Sequence, residues 1–235
     1  MGRIFEKRKH KMFARFDRMA KAFTKIGKEI VIAVKLGGPD PATNPRLRMA
    51  IQNAKSVNMP KDRVEAAIKR AVAKDTADLQ EVNYEAYAPH GVAIFVETAT
   101  DNPTRTVANV RMHLNRAGGS LATSGALDFI FSRKGVFTIH AAGHNLDELE
   151  LELIDFGLEE LMTDEEKVII YTSFHDFSTM QKALEERKIE VISAELQRIP
   201  QTTVSLNEQQ ENEILEIVEN LEGDDDVQAV YHNLK

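Results

Sequence analysis

The sequence predicts an α+β protein of three domains, a three-helix N-terminal bundle plus two α+β domains, one of them ordered βαββαβ. Three observations carry this. Apolar residues recur at steps of three and four from Met12 to Ala71, the period of helices packed on one face. Between Lys74 and Gln80 that period gives way to the alternation of half-buried strands. The net charge of -7 also conceals a split at this boundary: Met1 to Asp75 holds 19 Lys and Arg against 7 Asp and Glu, the remainder 11 against 30. One part is built for a polyanion that the rest would repel.

The first helix is read from Met12, Phe16, Met19, Phe23, Ile26 and Ile30, which form one apolar stripe. At about 100° per residue, Arg15, Arg18, Lys21, Lys25 and Lys28 fall to its side and rear. Gly37-Gly38, Pro39 and Pro41 stop it. Asn44-Pro45 opens a second helix that buries Leu47, Ala50, Ile51 and Ala54 and shows Arg46, Arg48 and Lys55. Pro60 starts a third, with Val64, Ala67, Ile68 and Ala71 inward and Lys61, Arg63, Lys69 and Arg70 outward. The preceding tail, with Lys7, Arg8, Lys9 and Lys11, is too basic to fold alone and is expected to order on a polyanion. Ile4, Phe5 and Phe13 are candidates to stack on bases, Phe13 lying closer to the apolar stripe.

Beyond the boundary, strands are read at Val82 to Ala88 and Val92 to Thr98, a helix from Asp101-Asn102-Pro103 to Arg116, and a strand near Leu127 to Phe131. From Gly135 the order is strand (Val136 to His140), helix (Leu146 to Phe156), strands (Leu158 to Met162, Lys167 to Thr172), helix (Phe177 to Arg187) and strand (Glu190 to Arg198). That βαββαβ order is the ferredoxin-like unit. A short strand at Thr203 to Leu206, a helix at Glu208 to Leu221 and a strand at Val227 to His232 lack a core of their own. Pairing them with Val82 to Phe131 gives expected domains at 1–78, at 79–133 with 200–235, and at 134–199.

Catalytic spacings are absent. No phosphate-binding Gly-x4-Gly-Lys run, dinucleotide fingerprint, His-Glu-x-x-His or Gly-x-Ser-x-Gly occurs, and without cysteine there is no thiol chemistry. His140 and His144 straddle a strand end, where two ligands would not converge on a metal. His175-Asp176 lacks a nucleophile, and Asp176 reads as a helix cap. Gly118-Gly119-Ser120 reads as a helix stop and Gly223 to Asp226 as a turn. A non-enzymatic, cytoplasmic protein is expected, monomeric, with no cofactor, metal, small-molecule substrate or membrane partner. The partner implied by the clustered Arg and Lys is nucleic acid, since these side chains replace counterions condensed on phosphates.

The runs Leu36-Gly-Gly-Pro-Asp-Pro-Ala-Thr-Asn-Pro-Arg-Leu-Arg48, Ala54-Lys-Ser-Val-Asn-Met-Pro-Lys-Asp62 and Ala67-Ile-Lys-Arg70 resemble the signature of the YebC/PmpR family. Tyr84-Glu-Ala-Tyr-Ala-Pro-His-Gly-Val92, Asp101-Asn102 and Ser132-Arg-Lys-Gly135 extend the resemblance over the chain. It implies a helical N-terminal domain with two α+β domains, and a transcriptional regulatory protein that binds DNA. The family includes a mitochondrial translational activator and members linked to relief of stalled ribosomes, so ribosomal RNA is the alternative partner. Its common Trp-containing N-terminal segment is replaced here by Gly2-Arg-Ile-Phe-Glu-Lys-Arg8.

Overall fold

The structure, a computed structural model, describes residues 3–73 and 78–235, with side chains of the first helix from residue 19 onward. The chain forms two compact units, Met1–Leu79 and Gln80–Lys235.

The first unit is helical: α1 (Arg3–Gly37), α2 (Pro45–Ser56) and α3 (Lys61–Val72). Helix α1 extends through the basic tail, contrary to the expectation that this run is unfolded by itself. Lys and Arg are good helix formers, and a helix already nucleated by the packed stretch behind them propagates through such residues. Its end is set by Gly38 at φ +85°, whose N–H donates to Val34 O at 2.8 Å, a left-handed C-terminal cap. Asn58, also left-handed, closes α2, with Met59 N–H donating to Ala54 O. Pro60 then starts α3. Ile26, Ile30, Ala33, Val34, Leu47, Ala50, Ala54, Val64, Ala67 and Ala71 meet in one core. Small residues on α2 and α3 let those helices approach α1 closely.

The second unit is α+β. Its elements are β1 (Gln80–Tyr87), β2 (Ala93–Thr100), α4 (Pro103–Arg116), β3 (Ser120–Leu121), β4 (Phe131–His140), α5 (Leu146–Ile154), β5 (Leu158–Asp164) and β6 (Lys167–Ser173). They continue with α6 (Phe177–Glu186), β7 (Val191–Pro200), α7 (Glu208–Glu222) and β8 (Val227–His232). Two antiparallel sheets result, ordered β3-β1-β2-β8 and β5-β6-β4-β7. The second has the strand order of the ferredoxin-like unit. Its helices pack through Phe137, stacked on Phe177 at 4.7 Å between centroids, and Gly135 stands where any Cβ would strike the Phe177 ring.

In the first sheet β2 is central and covered on both faces. Val92, Ile94 and Val96 meet Val110 and Leu114 of α4 and Ile214, Ile217 and Leu221 of α7. Ala93 and Phe95 meet Leu127, Ile130 and Phe131 on the other side. Arg198 of β7 lies 3.7 Å over the Phe95 ring and donates to Glu97, joining the two sheets.

Two expected strands are not strands. Leu127 and Ile130 are buried, but in a turn segment; the buried Glu85 carboxylate accepts from Gly125 N and Leu127 N at 2.7 and 2.6 Å, bonds that a neighbouring strand would otherwise supply. Strand β4 starts only at Phe131 and then pairs with β7 through Pro200. At Thr203 to Leu206 a single parallel bridge, Val204 to Leu234, replaces the strand, because Asn207 already caps α7.

Asp226 fastens β8 to the start of α4. Its buried carboxylate accepts from Thr100 Oγ1 and Thr106 Oγ1 at 3.2 and 2.9 Å and from Arg105 at 2.7 Å. Asp226→Ala removes the buried acceptor shared by these donors and should cost about 1–3 kcal/mol, read as a lower urea midpoint at unchanged slope. We propose that residues 79–133 and 200–235 fold as one domain and 134–199 as another. Deleting residues 201–235 should then abolish hydrogen-exchange protection in β1 and β2. Native protection there would show that the sheet folds without its C-terminal strand.

Candidate nucleic-acid interface

The basic residues of the helical unit are positioned by one loop and three helices. Between α1 and α2 the chain turns through Gly38 to Thr43, and the buried Asn44 side chain closes the turn. Its amide donates to Ala33 O at 2.7 Å and Gly38 O at 2.8 Å, while Oδ1 accepts from Leu47 N at 3.1 Å. A Cβ on Gly37 would lie 2.7 Å from that amide, so only glycine fits beside it. Asp40 orders the same loop, accepting from Ala42 N at 2.9 Å. Asn44 thereby fixes the direction in which α2 leaves α1.

Of the sequence-predicted cations, Lys7, Arg8, Lys9, Lys11, Arg15 and Arg18 have side chains outside the described residues. Lys21, Lys55, Lys61, Arg63, Lys69 and Arg70 are exposed, whereas Lys25, Lys28, Arg46 and Arg48 are half-buried. These are not equivalent. Arg48 Nη1 donates to Pro41 O and Ala42 O at 2.9 and 3.1 Å, so its guanidinium holds the loop. Lys69 and Arg70 stand in the last turn of α3, where they also complement the helix dipole. Lys61 lies 3.8 Å from Glu65, a loose surface pair worth little. Lys35 donates to Asp78 and holds its carboxyl below the usual carboxylate range, tying the residues after α3 to the end of α1.

Between α1 and α3 runs a groove of about 700 Å³. Phe23, Val31, Met59, Ala67 and Leu79 line it with apolar surface, and Lys28, Arg63 and Arg70 stand among them. The Arg63 guanidinium lies 5.6 Å from the Phe23 ring centroid. Gly27 also lines the groove, and a Cβ there would meet no atom within 4 Å. Sequence reasoning missed this groove, since Phe23 reads as core and Gly27 as one more position of a helical run. The signal that could have found it is a glycine in a helix interior, which costs about 1 kcal/mol relative to alanine.

The other candidates in the sequence serve the fold. Asp176 sits at the helix start but caps no backbone N–H, contrary to expectation; its carboxylate accepts from Ser173 Oγ at 2.7 Å and fixes the turn. His175 is exposed, with its ring 5.5 Å from that of Phe174. Gly119 lets β3 approach β1, since a Cβ would lie 2.9 Å from Tyr87 O. Asp224 accepts from Asp226 N and Asn109 Nδ2, both at 2.9 Å, so its carboxylate is taken up within the turn. Burial pushes the Tyr231 phenol up. Among the described residues no group of three His, Asp or Glu could hold a metal ion, and no helix is long and apolar enough to cross a membrane.

Comparison with known proteins follows the same division of the chain. Residues 3–74 match the model of the TACO1/YebC protein N-terminal domain, and residues 79–234 that of the TACO1/YebC second and third domain. A protein of Cytophaga hutchinsonii named "Probable transcriptional regulatory protein" is 58% identical, over 100% of this chain and 98% of its own length. Proteins of the same name from Parabacteroides distasonis and Myxococcus xanthus are 56% and 52% identical over 100% of this chain and 97% and 100% of their own. The crystal structure of a conserved hypothetical protein from Aquifex aeolicus superposes with a TM-score of 0.81 at 37% identity, covering 92% of this chain and 90% of that one.

Asn44 is the side chain on which this geometry is most directly testable. Asn44→Ala removes a helix cap and strands two carbonyls in a buried site, an expected loss of about 2–4 kcal/mol. The thermal midpoint of the helical unit should fall while that of Gln80–Lys235 is unchanged, measured by hydrogen exchange along a temperature ramp.

Proposed function

The chain belongs to the TACO1/YebC family, and from that premise we propose that it is a nucleic-acid-binding regulator of gene expression acting through its basic helical unit. The observation that carries the reading is the placement of Lys21, Lys55, Lys61, Arg63, Lys69 and Arg70, all exposed on a unit built around its own apolar core. Cations on rigid helices replace condensed counterions at little cost in ordering, so affinity follows from the number of phosphates met. The relatives' names favour DNA and transcription as the setting.

A second reading, binding to ribosomal RNA as a translation factor, is favoured by what the outer face of α3 presents. Its exposed residues are Lys61, Asp62, Arg63, Glu65, Ala66, Lys69, Arg70 and Val72. The amide side chains that read adenine edges are missing from that set, and base-specific readout in a major groove needs such groups at the contact. Backbone contact of this kind suits folded RNA as well as duplex DNA. On either reading the acidic second unit adds no phosphate contacts, and the protein works by binding rather than turnover.

Binding to duplex DNA should weaken with salt at a log-log slope of about -4 to -7, as expected for roughly 5–8 phosphate contacts. Changing Lys21, Lys55, Lys61 and Lys69 together to Gln should flatten the slope by about one unit for each phosphate no longer neutralised, with an unchanged circular dichroism melt. A folded fourfold variant with wild-type affinity and slope on both duplex DNA and purified ribosomes would reduce this face to an ordinary solvated surface. If ribosome binding collapses while DNA binding stays weak and indifferent to sequence, the second reading stands in place of the first.

A further inference from the structure

We infer that the groove between α1 and α3 takes an unpaired nucleobase, so that the helical unit grips single-stranded nucleic acid at a defined point. This rests on the reading above and names the substrate class for the same unit.

Three features of the groove point the same way. Its floor is apolar, with Phe23, Val31 and Ala67 lining a groove in a unit rich in exposed Lys and Arg. Such a floor offers nothing to a phosphate, but a base has an apolar π-face that stacks on aromatic rings and guanidinium planes. Cations stand at the same place: Lys28, Arg63 and Arg70 line the groove, and among the described residues no Asp or Glu does. The charge therefore complements a group that carries phosphates on either side of an apolar plane. A neutral or basic peptide has no use for it.

Gly27 supplies the third feature. Glycine in a helix interior is unfavourable, and here no packing neighbour demands it, since a Cβ would meet nothing within 4 Å. What the missing side chain leaves open is the groove itself, which Gly27 lines between Phe23 and Val31 on the same helix face. The spacing above Phe23 fits the same occupant. Elsewhere among the described residues Arg rests 3.7, 4.3 or 4.6 Å from the centroid of the ring it covers, but Arg63 stands 5.6 Å from that of Phe23. A base held between the two needs about twice the 3.5 Å contact distance of carbon atoms. Arg63 is exposed on a flexible stem and reaches that spacing by lifting its tip roughly 1.5 Å.

The test uses the full chain, a 12-nucleotide single-stranded RNA with 2-aminopurine at one central position, and the same sequence as a duplex. Stacking of the base in the groove should quench 2-aminopurine fluorescence on binding the wild-type protein. Gly27→Leu, filling the groove without displacing a neighbour, should weaken single-strand binding about tenfold and abolish the quench, while duplex affinity changes less than twofold. Arg63→Lys, which keeps the charge and loses the plane, should also lose most of the quench; it serves as the second probe should Gly27→Leu fail to fold. Equal losses on single strand and duplex, or wild-type quenching in a folded Gly27→Leu or Arg63→Lys protein, would overturn the inference while leaving phosphate binding intact. Displacement of the Gly27→Leu effect onto an acidic amphipathic peptide, with nucleic-acid binding untouched, would overturn it in favour of a protein ligand. Absence of any nucleic-acid binding by the wild type would remove the proposed function as well.

Discussion

Where the cations of the helical unit point depends on one buried amide. Asn44 joins the last turns of α1 to the first turn of α2 by three hydrogen bonds, two as donor and one as acceptor, within a site that admits no water-exposed alternative. A shorter or differently shaped side chain would leave carbonyls of α1 or the N–H of Leu47 without a partner, and buried backbone groups rarely go unpaired. The glycine at position 37 follows from the same amide, which fills the space of a Cβ. The loop from Gly38 to Thr43 is then held from its other side by Arg48. A polar residue at the join of two amphipathic helices thus sets the crossing on which Arg46, Lys55 and, through Met59 and Pro60, the whole of α3 are carried.

Much of this was legible in the sequence because the physics was local. Asn-Pro announces a capped helix, Gly-Gly-Pro its end, and steps of three and four an apolar stripe, so Leu47, Ala50, Val64, Ala67 and Ala71 were identifiable as core. The βαββαβ order likewise follows from alternating periods. What stayed hidden was settled by side chains distant in sequence. Leu127 to Phe131 has a strand's composition, but Glu85 claims its backbone donors from 40 residues away. Asp226 reads as one of three turn aspartates, yet it is buried against Arg105 and two threonines. The groove was hidden for a related reason: Phe23 belongs to the apolar stripe by spacing, and only the position of α3 decides that its ring lines a cleft.

The charge split acquires a physical meaning from the division into units. The acidic helices α5 and α7 and the basic helices α1 to α3 belong to different units, so each fold is free to concentrate one sign of charge on its own surface. Within the second unit, Arg105 with the buried Asp226, and the partly buried pair Arg198 and Glu97, each join elements far apart in sequence. Most of the remaining acidic residues lie outward, where they give that unit a surface that repels polyanions.

The placement of β8 bears on how the protein is made. Strand β2 is hydrogen-bonded along one edge to β1 and along the other to β8, with 126 residues between Thr100 and Val227. A ribosome adding about 5–20 residues per second takes roughly 6–25 s to cover that interval. The helical unit and the β4 to β7 sheet, each contiguous, can close in the meantime, but the hydrogen-bonding edge of β2 stays open until Val227 to His232 have emerged. A chain interrupted before Val227 would therefore have a folded helical unit and an unfinished sheet with an exposed strand edge, the state that proteases and chaperones recognise. Strand β8 is thus the element whose arrival closes this sheet.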